Sequence, residues 1–193
     1  LETFYKKIIS AAEKSGKADA LRKSVKVANR MRKVGIDLRR TLFSSSVLAS
    51  FGGRLKTIVS GGAPLSKELV DAFDSLGIQI INGYGITECS PLISANRPNF
   101  SIPGSVGVPL PNEEILINGS GDDGEGEICV KGPNVMMGYF EDPEATAQAI
   151  DENGFFHTGD IGTLKNGVLY ITGRTKNIII LSNGKNVYPE EIE

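Results

Sequence analysis

The sequence contains few of the residues that hold small secreted proteins together or cross membranes. Its 193 residues include two cysteines, one histidine and no tryptophan. Cys89 and Cys129 lack the spacing of a metal-binding pair, which indicates a reducing, cytoplasmic compartment and excludes a disulfide framework. No stretch approaches the roughly 20 consecutive apolar residues that a membrane-spanning helix needs. Since 40% of the residues are hydrophobic, we expect the core of one domain or slightly more.

The chain also has little net charge, although its charges are unevenly distributed. The formal net charge is −2, and this total gives no indication of a nucleic-acid partner. Residues 1–56 carry 14 Lys and Arg against 4 Asp and Glu, whereas the remainder carries 7 against 19. We interpret the basic first part as a solvated helical face. Phosphates, an acidic partner or an anionic membrane surface are the alternatives.

The spacing of apolar residues predicts an α/β fold. Residues 1 to about 34 are predicted to be helical with a break near Gly16, and a further helical pattern covers 41–51. A β-branched run, an amphipathic helix and a second buried strand then form a predicted βαβ unit with parallel strands, at 55–60, 66–77 and 78–82. The chain is β-rich from about residue 101, with predicted strands at 113–117, 124–132, 167–173 and 177–182 and a helix at 142–150.

Two glycine-rich segments follow the two strands of this βαβ unit. They read SGGAPLS (60–66) and NGYGITE (82–88). Because parallel strands end at the same edge of a sheet, we expect these two loops to open side by side where open α/β sheets bind ligands. The glycines at 61, 62, 83 and 85 would let the backbone approach a ligand closely. The alternative is a pair of ordinary tight turns.

The side chains in the second loop favour a nucleotide and a metal ion over a plain turn. Tyr84 offers a flat face for a base ring, and the Thr87 hydroxyl can donate to a phosphate oxygen. Glu88 supplies the hard oxygen atoms that Mg²⁺ prefers.

Two later segments add further candidates. In GFFHTGD (154–160), the Asp160 carboxylate follows a glycine and could accept hydrogen bonds from the two vicinal hydroxyls of a ribose. We interpret His157, beside aromatic residues, as structural. In GRTK (173–176), Arg174 could reach ribose or phosphate oxygens as a planar fork, with an exposed cationic turn as the alternative.

Taken in order, five segments resemble the adenylate-forming superfamily of acyl-CoA synthetases, nonribosomal adenylation domains and luciferases. They are SGGAPL, NGYGITE, GEICVKGPNVMMGYFEDPEAT, GFFHTGD and GRTKNIIILSNGKNVYPEEIE, and they run through most of the chain from residue 57. The stretches LETFYKKI and FGGRLKTIVSGGAPL are most similar to bacterial long-chain fatty acid–CoA ligases.

This resemblance implies an activity and a role for each candidate residue. A fatty acid or other carboxylate would react with ATP to give acyl-AMP, and the acyl group would then pass to the thiol of coenzyme A. Asp160 would bind the ribose hydroxyls with help from Arg174, and Glu88 would bind Mg²⁺. The other implied residues are Thr87 for phosphate, Lys176 for the hinge, Gly61, Gly62 and Ala63 for the adenine and ribose side, and Asn82, Gly83, Tyr84 and Gly85 for the adenine shelf.

The resemblance also implies a domain organisation. Residues 1–174 would form part of the large nucleotide- and acyl-binding domain, and 175–193 the hinge and the beginning of a small C-terminal domain. The family's phosphate loop would lie upstream of Leu1 and its catalytic lysine downstream of Glu193, so we expect residues 1–193 alone to be inactive. The alternatives are transfer to a carrier-protein thiol, or a non-catalytic nucleotide-binding or assembly module. Peripheral membrane contact through the basic N-terminal helices is the alternative to the solvated face that we interpret there.

Overall fold

The computed structural model describes residues 1–43, 47–62, 65–98, 100–121, 124–175, 179–180 and 186–187. The chain divides into two compact units, Leu1–Ile81 and Asn82–Glu193. Among the described residues, none of the helices combines the length and apolar character that a membrane crossing requires. The predicted boundary between domains at residues 174 and 175 stays a prediction.

The first unit consists of helices and the beginning of a sheet. Its elements are α1 Glu2–Lys14, α2 Ala18–Arg32, α3 Arg39–Phe43, α4 Val47–Ser50, β1 Thr57–Ser60, α5 Lys67–Ser75 and the first residues of β2 Gln79–Gly85. α5 begins where predicted, because the Ser66 hydroxyl accepts a hydrogen bond from the Leu69 amide at 3.2 Å and so caps the helix. β1 and β2 are neighbours in the sheet, as the βαβ interpretation requires, and their parallel direction stays a prediction.

The apolar faces of these helices meet in one core. Phe73 of α5 and Ala28 of α2 are fully buried there, together with Ile78 at the entrance to β2. The ring of Tyr5 on α1 packs against Phe73 with a centroid distance of 6.1 Å. The predicted amphipathic character of α5 is therefore confirmed, since one of its faces is buried in this core.

Part of the basic charge of the first unit is used inside that unit. Arg39 Nη1 donates to both the carboxylate and the main-chain carbonyl of Asp74 at 2.7 Å, at the C-terminal end of α5. Nη2 of Arg39 pairs with Asp37 at 2.7 Å, and Arg32 on α2 also pairs with Asp74. A cation at the end of a helix also interacts favourably with the helix dipole. These contacts connect α2 and α3 to α5.

The second unit is mainly antiparallel sheet. After the end of β2 it contains a 3₁₀-helix Thr87–Cys89, β3 Leu92–Ala95, β4 Val108–Pro109, β5 Glu114–Asn118, β6 Gly126–Lys131, α6 Pro143–Ala149, β7 Phe156–Lys165, β8 Val168–Arg174, β9 Ile179–Ile180 and β10 Asn186–Val187. β2, β3 and β4 pair in sequence order, as do β5 to β8, and β9 pairs with β10; all these pairs are antiparallel. The predicted α/β fold class is confirmed.

Local signals located several elements of this unit correctly. Asp142 caps α6 by accepting from the Ala145 amide at 2.9 Å, as expected for an Asp followed by Pro143 at the first helical position. Asn166 and Gly167 connect β7 to β8 with φ angles of 52° and 75°, which is the backbone of a type I′ hairpin turn.

The predicted loop over residues 82–88 is wrong for Gly83 to Gly85, whereas Asn82 lies in β2 as the strand predicted at 78–82 requires. Asn82 to Gly85 belong to β2 and pair with β3, with Gly83 opposite Ala95. A Cβ atom on Gly85 would lie 1.8 Å from the carbonyl oxygen of Pro91, so the close approach of the chain leading into β3 requires a glycine there. The strands β3, β4, β7 and β10 were not predicted.

We predict that Arg39→Ala lowers the free energy of unfolding by about 1–3 kcal/mol, because the part-buried Asp74 carboxylate and its main-chain carbonyl each lose one charged donor. Urea denaturation of the protein that contains this sequence would measure the change. Arg54→Ala is the matched control, since Arg54 is exposed. An equal change in both variants would contradict the prediction.

Candidate active site

A buried carboxylate forms the centre of the candidate site. The residue Asp160 is 4% exposed. Its Oδ2 accepts a hydrogen bond from the Tyr84 hydroxyl at 2.7 Å, and its Oδ1 lies 2.9 Å from Nε of Arg174. A buried charge needs partners of this kind, because it has lost its hydration. The structure therefore brings three of the predicted site residues into direct contact.

An irregularity in β7 gives Asp160 its position. Cys129 on β6 lies opposite His157 on β7, but Glu127 lies opposite Ile161. The short step from Glu127 to Cys129 on β6 is therefore matched by a longer step from His157 to Ile161 on β7. Gly159, inside the longer step, has a φ of 72°, a left-handed conformation that suits glycine. Arg174 is the cross-strand partner of Asp160 on β8. Bulges of this kind often redirect a side chain beside a functional site.

Tyr84 connects the end of β2 to this carboxylate. Its side chain is buried in a core that also contains Ile93 of β3 and Ile128 and Val130 of β6. Burial and the nearby Asp160 charge raise the pKa of the Tyr84 hydroxyl above its ordinary value, so the phenol stays protonated and donates its hydrogen bond. The predicted stacking of its ring on a base stays a prediction.

Glu88 is held from the segment that follows β6. Its half-buried side chain accepts from the Tyr139 hydroxyl at 3.1 Å, and its main-chain carbonyl accepts from the Met136 amide at 2.7 Å. Asn134 donates to the carbonyls of Cys89 and Leu92 at 3.1 and 3.0 Å. The residues after β6 thus fix the 3₁₀-helix that carries Glu88, while the carboxylate keeps further acceptor positions for a cation.

The remaining predicted site residues have different outcomes. Thr87 is exposed at the start of the 3₁₀-helix, and Asn82 donates its amide to the Ser105 carbonyl at 3.4 Å. Gly61 and Gly62 follow β1 in the first unit, and Gly62 has a φ of 76°. Ala63 and Lys176 lie outside the described residues. The nucleotide-binding roles of these residues, and the adjacency of the two glycine-rich loops, stay predictions.

His157 lies between two carboxylates and a thiol, and its structural role stays a prediction. Its Nδ1 lies 2.8 Å from Oε2 of Glu127, and its Nε2 lies 3.8 Å from Asp151. Cys129 lies beside it, free and fully buried. Burial, followed by the Glu127 charge, raises the pKa of the Cys129 thiol to about 12. That thiol is therefore not a thiolate nucleophile near neutral pH.

Several supporting residues were missed at the level of sequence. Asn134 and Tyr139 were noted only as members of a longer segment that resembles the family. Glu127 and Thr158 were assigned no role from the sequence. Their contacts join positions 30 to 51 residues apart in the chain. The conspicuous Gly-Tyr-Gly and Thr-Gly-Asp strings located the site, but no local signal identified these partners.

Comparison with known protein families shows which family the chain belongs to. A family model described as "AMP-binding enzyme" matches residues 3–140, and the chain belongs to that family. The human long-chain-fatty-acid–CoA ligase 1 is 42% identical over 160 residues, which are 79% of this chain and 23% of the relative. A probable chloroplastic acyl-activating enzyme 16 of Arabidopsis thaliana is 40% identical over 162 residues, covering 73% of this chain and 22% of the relative.

Solved structures of adenylate-forming enzymes share the fold. O-succinylbenzoate coenzyme A synthetase from Bacillus subtilis, in complex with ATP and magnesium, matches with a TM-score of 0.65 and 37% identity over 77% of this chain and 34% of its own. ATP-bound MatB from Rhodopseudomonas palustris matches with a TM-score of 0.66 and 35% identity, over 79% and 32%. The chain therefore spans about a quarter to a third of the length of these relatives.

We predict that Tyr84→Phe lowers the free energy of unfolding by about 1–3 kcal/mol, because the buried Asp160 carboxylate loses a donor. Chemical denaturation would measure the loss. Tyr170→Phe removes a hydroxyl from a half-buried tyrosine on β8 and is the control. In an Asp160→Ala background the effect of Tyr84→Phe should largely vanish. If it persists there, the hydrogen bond is not its cause.

Proposed function

We propose that the protein containing this chain is an ATP-dependent ligase that converts a long-chain fatty acid to acyl-AMP and then to its coenzyme A thioester. The contact of Tyr84, Asp160 and Arg174 is the observation that carries the proposal. Membership of the AMP-binding enzyme family and similarity to proteins named long-chain-fatty-acid–CoA ligases support it.

Asp160 is proposed to bind the ribose of the nucleotide. A carboxylate has about four acceptor positions, and Tyr84 and Arg174 use one each. Two acceptor positions are then left for the vicinal hydroxyls of a ribose. Because Tyr84 and Arg174 already hold both oxygen atoms, the carboxylate is oriented before the nucleotide arrives. Arg174 has a side chain that is 66% exposed, so its guanidinium can reach ribose oxygens as well.

Glu88 is proposed to bind Mg²⁺, and its surroundings fit that role. Its carboxylate is half-buried and held by a neutral donor, Tyr139, rather than by a cation. Hard carboxylate oxygens are the protein ligands that Mg²⁺ takes beside phosphates. When bound there, the ion would neutralise the negative charge that develops on the phosphate oxygens. Thr87, exposed next to Glu88, is the proposed phosphate donor.

The proposed reaction needs no nucleophilic side chain. The substrate carboxylate attacks the α-phosphorus of ATP and pyrophosphate leaves; the coenzyme A thiol then attacks the acyl carbonyl and AMP leaves. Stabilisation of negative charge on phosphate oxygens is then the main task of the protein. The high pKa of the buried Cys129 is compatible with this mechanism.

We predict that the complete gene product with ATP, Mg²⁺, a long-chain fatty acid and coenzyme A forms AMP and acyl-CoA in equal amounts. Asp160→Asn should lower kcat/KM for ATP about 10- to 100-fold, since hydrogen bonds to a charged acceptor are lost. Glu88→Gln should lower the rate most strongly at limiting Mg²⁺. Mass spectrometry of the products would measure both effects.

Glu152→Gln, an exposed carboxylate in the turn before β7, is the control and should leave the rate unchanged. Residues 1–193 alone should form no acyl-CoA. Product formation by that segment would contradict our expectation that it is incomplete for catalysis. Transfer of the acyl group from acyl-AMP to a carrier-protein thiol, and not to coenzyme A, would show that the acceptor differs from the one proposed.

The basic helices of the first unit are proposed to contact an anionic membrane peripherally. Lys7, Lys14 and Lys23 are exposed on α1 and α2, where they are available to lipid head groups. Sedimentation with liposomes at low salt should recover more of the gene product on anionic than on neutral vesicles. Equal recovery would remove this proposal. The cytoplasmic location stays a prediction.

A further inference from the structure

The carboxylate of Glu127 contacts two residues in the irregular part of β7. Its Oε2 lies 2.8 Å from Nδ1 of His157, and its Oε1 accepts the Gly159 amide at 3.0 Å. The Glu127 side chain is 25% exposed, so the two contacts are partly screened from water. One side chain on β6 therefore fixes two residues on β7 just before Asp160.

Thr158 lies between His157 and Gly159, and its side chain is hydrogen-bonded to the same strand, β6. Its hydroxyl donates to the Ile128 carbonyl at 2.7 Å and accepts the amide of Asp160 at 3.1 Å. Each residue from His157 to Asp160 thus makes a polar contact inside the irregularity. Glu127 holds this segment through its side chain, and Thr158 holds it through the main-chain carbonyl of the next residue on β6, Ile128.

Side-chain packing does not fix the backbone of Gly159 within this segment. Gly159 is in a left-handed conformation, and a Cβ built on it would meet no atom within 4 Å. A backbone in this region, without side chains packed against it, has other conformations available at low cost. The hydrogen bonds from Glu127 and Thr158 therefore act together with the pairing of β7 to β6 and β8 to hold the observed one.

We propose that Glu127 is a positioning residue, which holds residues 157–159 so that the Asp160 carboxylate faces the ribose. This inference depends on the proposed function, in which Asp160 binds the ribose hydroxyls. Glu127 contacts the backbone at Gly159, one residue before Asp160. Its effect on the ribose is exerted only through Asp160.

A metal ion at this cluster is the competing interpretation. Single ligand atoms of Glu127, Cys129 and His157 all lie within 4.8 Å of one another. The Glu127 oxygen and the His157 nitrogen are 2.8 Å apart, which is the length of a direct hydrogen bond. Two ligands of a tetrahedral Zn²⁺, each about 2.0–2.1 Å from the ion, would lie farther apart than this. The geometry favours the hydrogen bond.

The test compares the affinities of the complete gene product for AMP and for 2′,3′-dideoxy-AMP by titration calorimetry. The wild type should prefer AMP by about tenfold, the contribution of hydrogen bonds to a carboxylate. Glu127→Ala should remove most of this preference and leave the affinity for the dideoxy nucleotide unchanged. Asp160→Ala should do the same, and combining the two should cause no further loss.

Two variants control for a structural effect. Glu127→Gln keeps an oxygen acceptor for the Gly159 amide and should retain most of the preference for AMP. Glu152→Ala removes an exposed carboxylate nearby and should retain all of it. The ratio of two dissociation constants does not depend on the fraction of folded protein, so partial unfolding of Glu127→Ala leaves the test valid.

The possible results separate the inference from the function on which it depends. If Glu127→Ala weakens both nucleotides equally, or keeps the preference that Asp160→Ala loses, the positioning role is overturned and the role of Asp160 stands. If the wild type shows no preference, the ribose role of Asp160 is overturned together with this inference. One equivalent of bound zinc, lost in both Glu127→Ala and Cys129→Ser, would make Glu127 a metal ligand instead.

Discussion

The pairing of the buried Asp160 carboxylate with Tyr84 and Arg174 is the interaction on which the second unit depends. An ionised carboxylate at this depth is costly unless donors replace its hydration. The three residues come from the end of β2, the middle of β7 and the end of β8, so the pairing fixes the position of these strands together. The same requirement that stabilises the charge also presents it in one orientation.

The candidate site uses strands where a sequence of this composition suggests loops. Gly83 to Gly85 pair with β3, with a register shift between Tyr84 and Gly85, and Gly85 is needed because the backbone near Pro91 approaches it closely. Residues 157–160 lie within β7 but leave the regular register. A strand holds its neighbours firmly, and an irregularity within it can aim one side chain. The site thereby combines a rigid frame with a local departure from regular geometry.

Support for the site residues comes from distant parts of the chain. Tyr139 and the Met136 amide hold Glu88, while Glu127 holds the segment before Asp160. Each of the two carboxylates proposed to act on the nucleotide or its metal ion thus depends on contacts made by residues far from it in the sequence. Changes at these supporting positions would alter the function without altering any residue that binds substrate.

The sequence alone determined the features that arise from neighbouring residues. Ser66 and Asp142 cap helices, Asn166-Gly167 forms a hairpin turn, and the spacing of apolar residues marks α5, because each depends on contacts within one or two turns of chain. Only the tertiary structure decided that Gly83–Gly85 continues the strand, that β7 contains an irregularity, and that Asp160 meets Tyr84, 76 residues away. Pairing between strands and the burial of a charge are set by residues far apart in sequence, whose meeting no local pattern encodes.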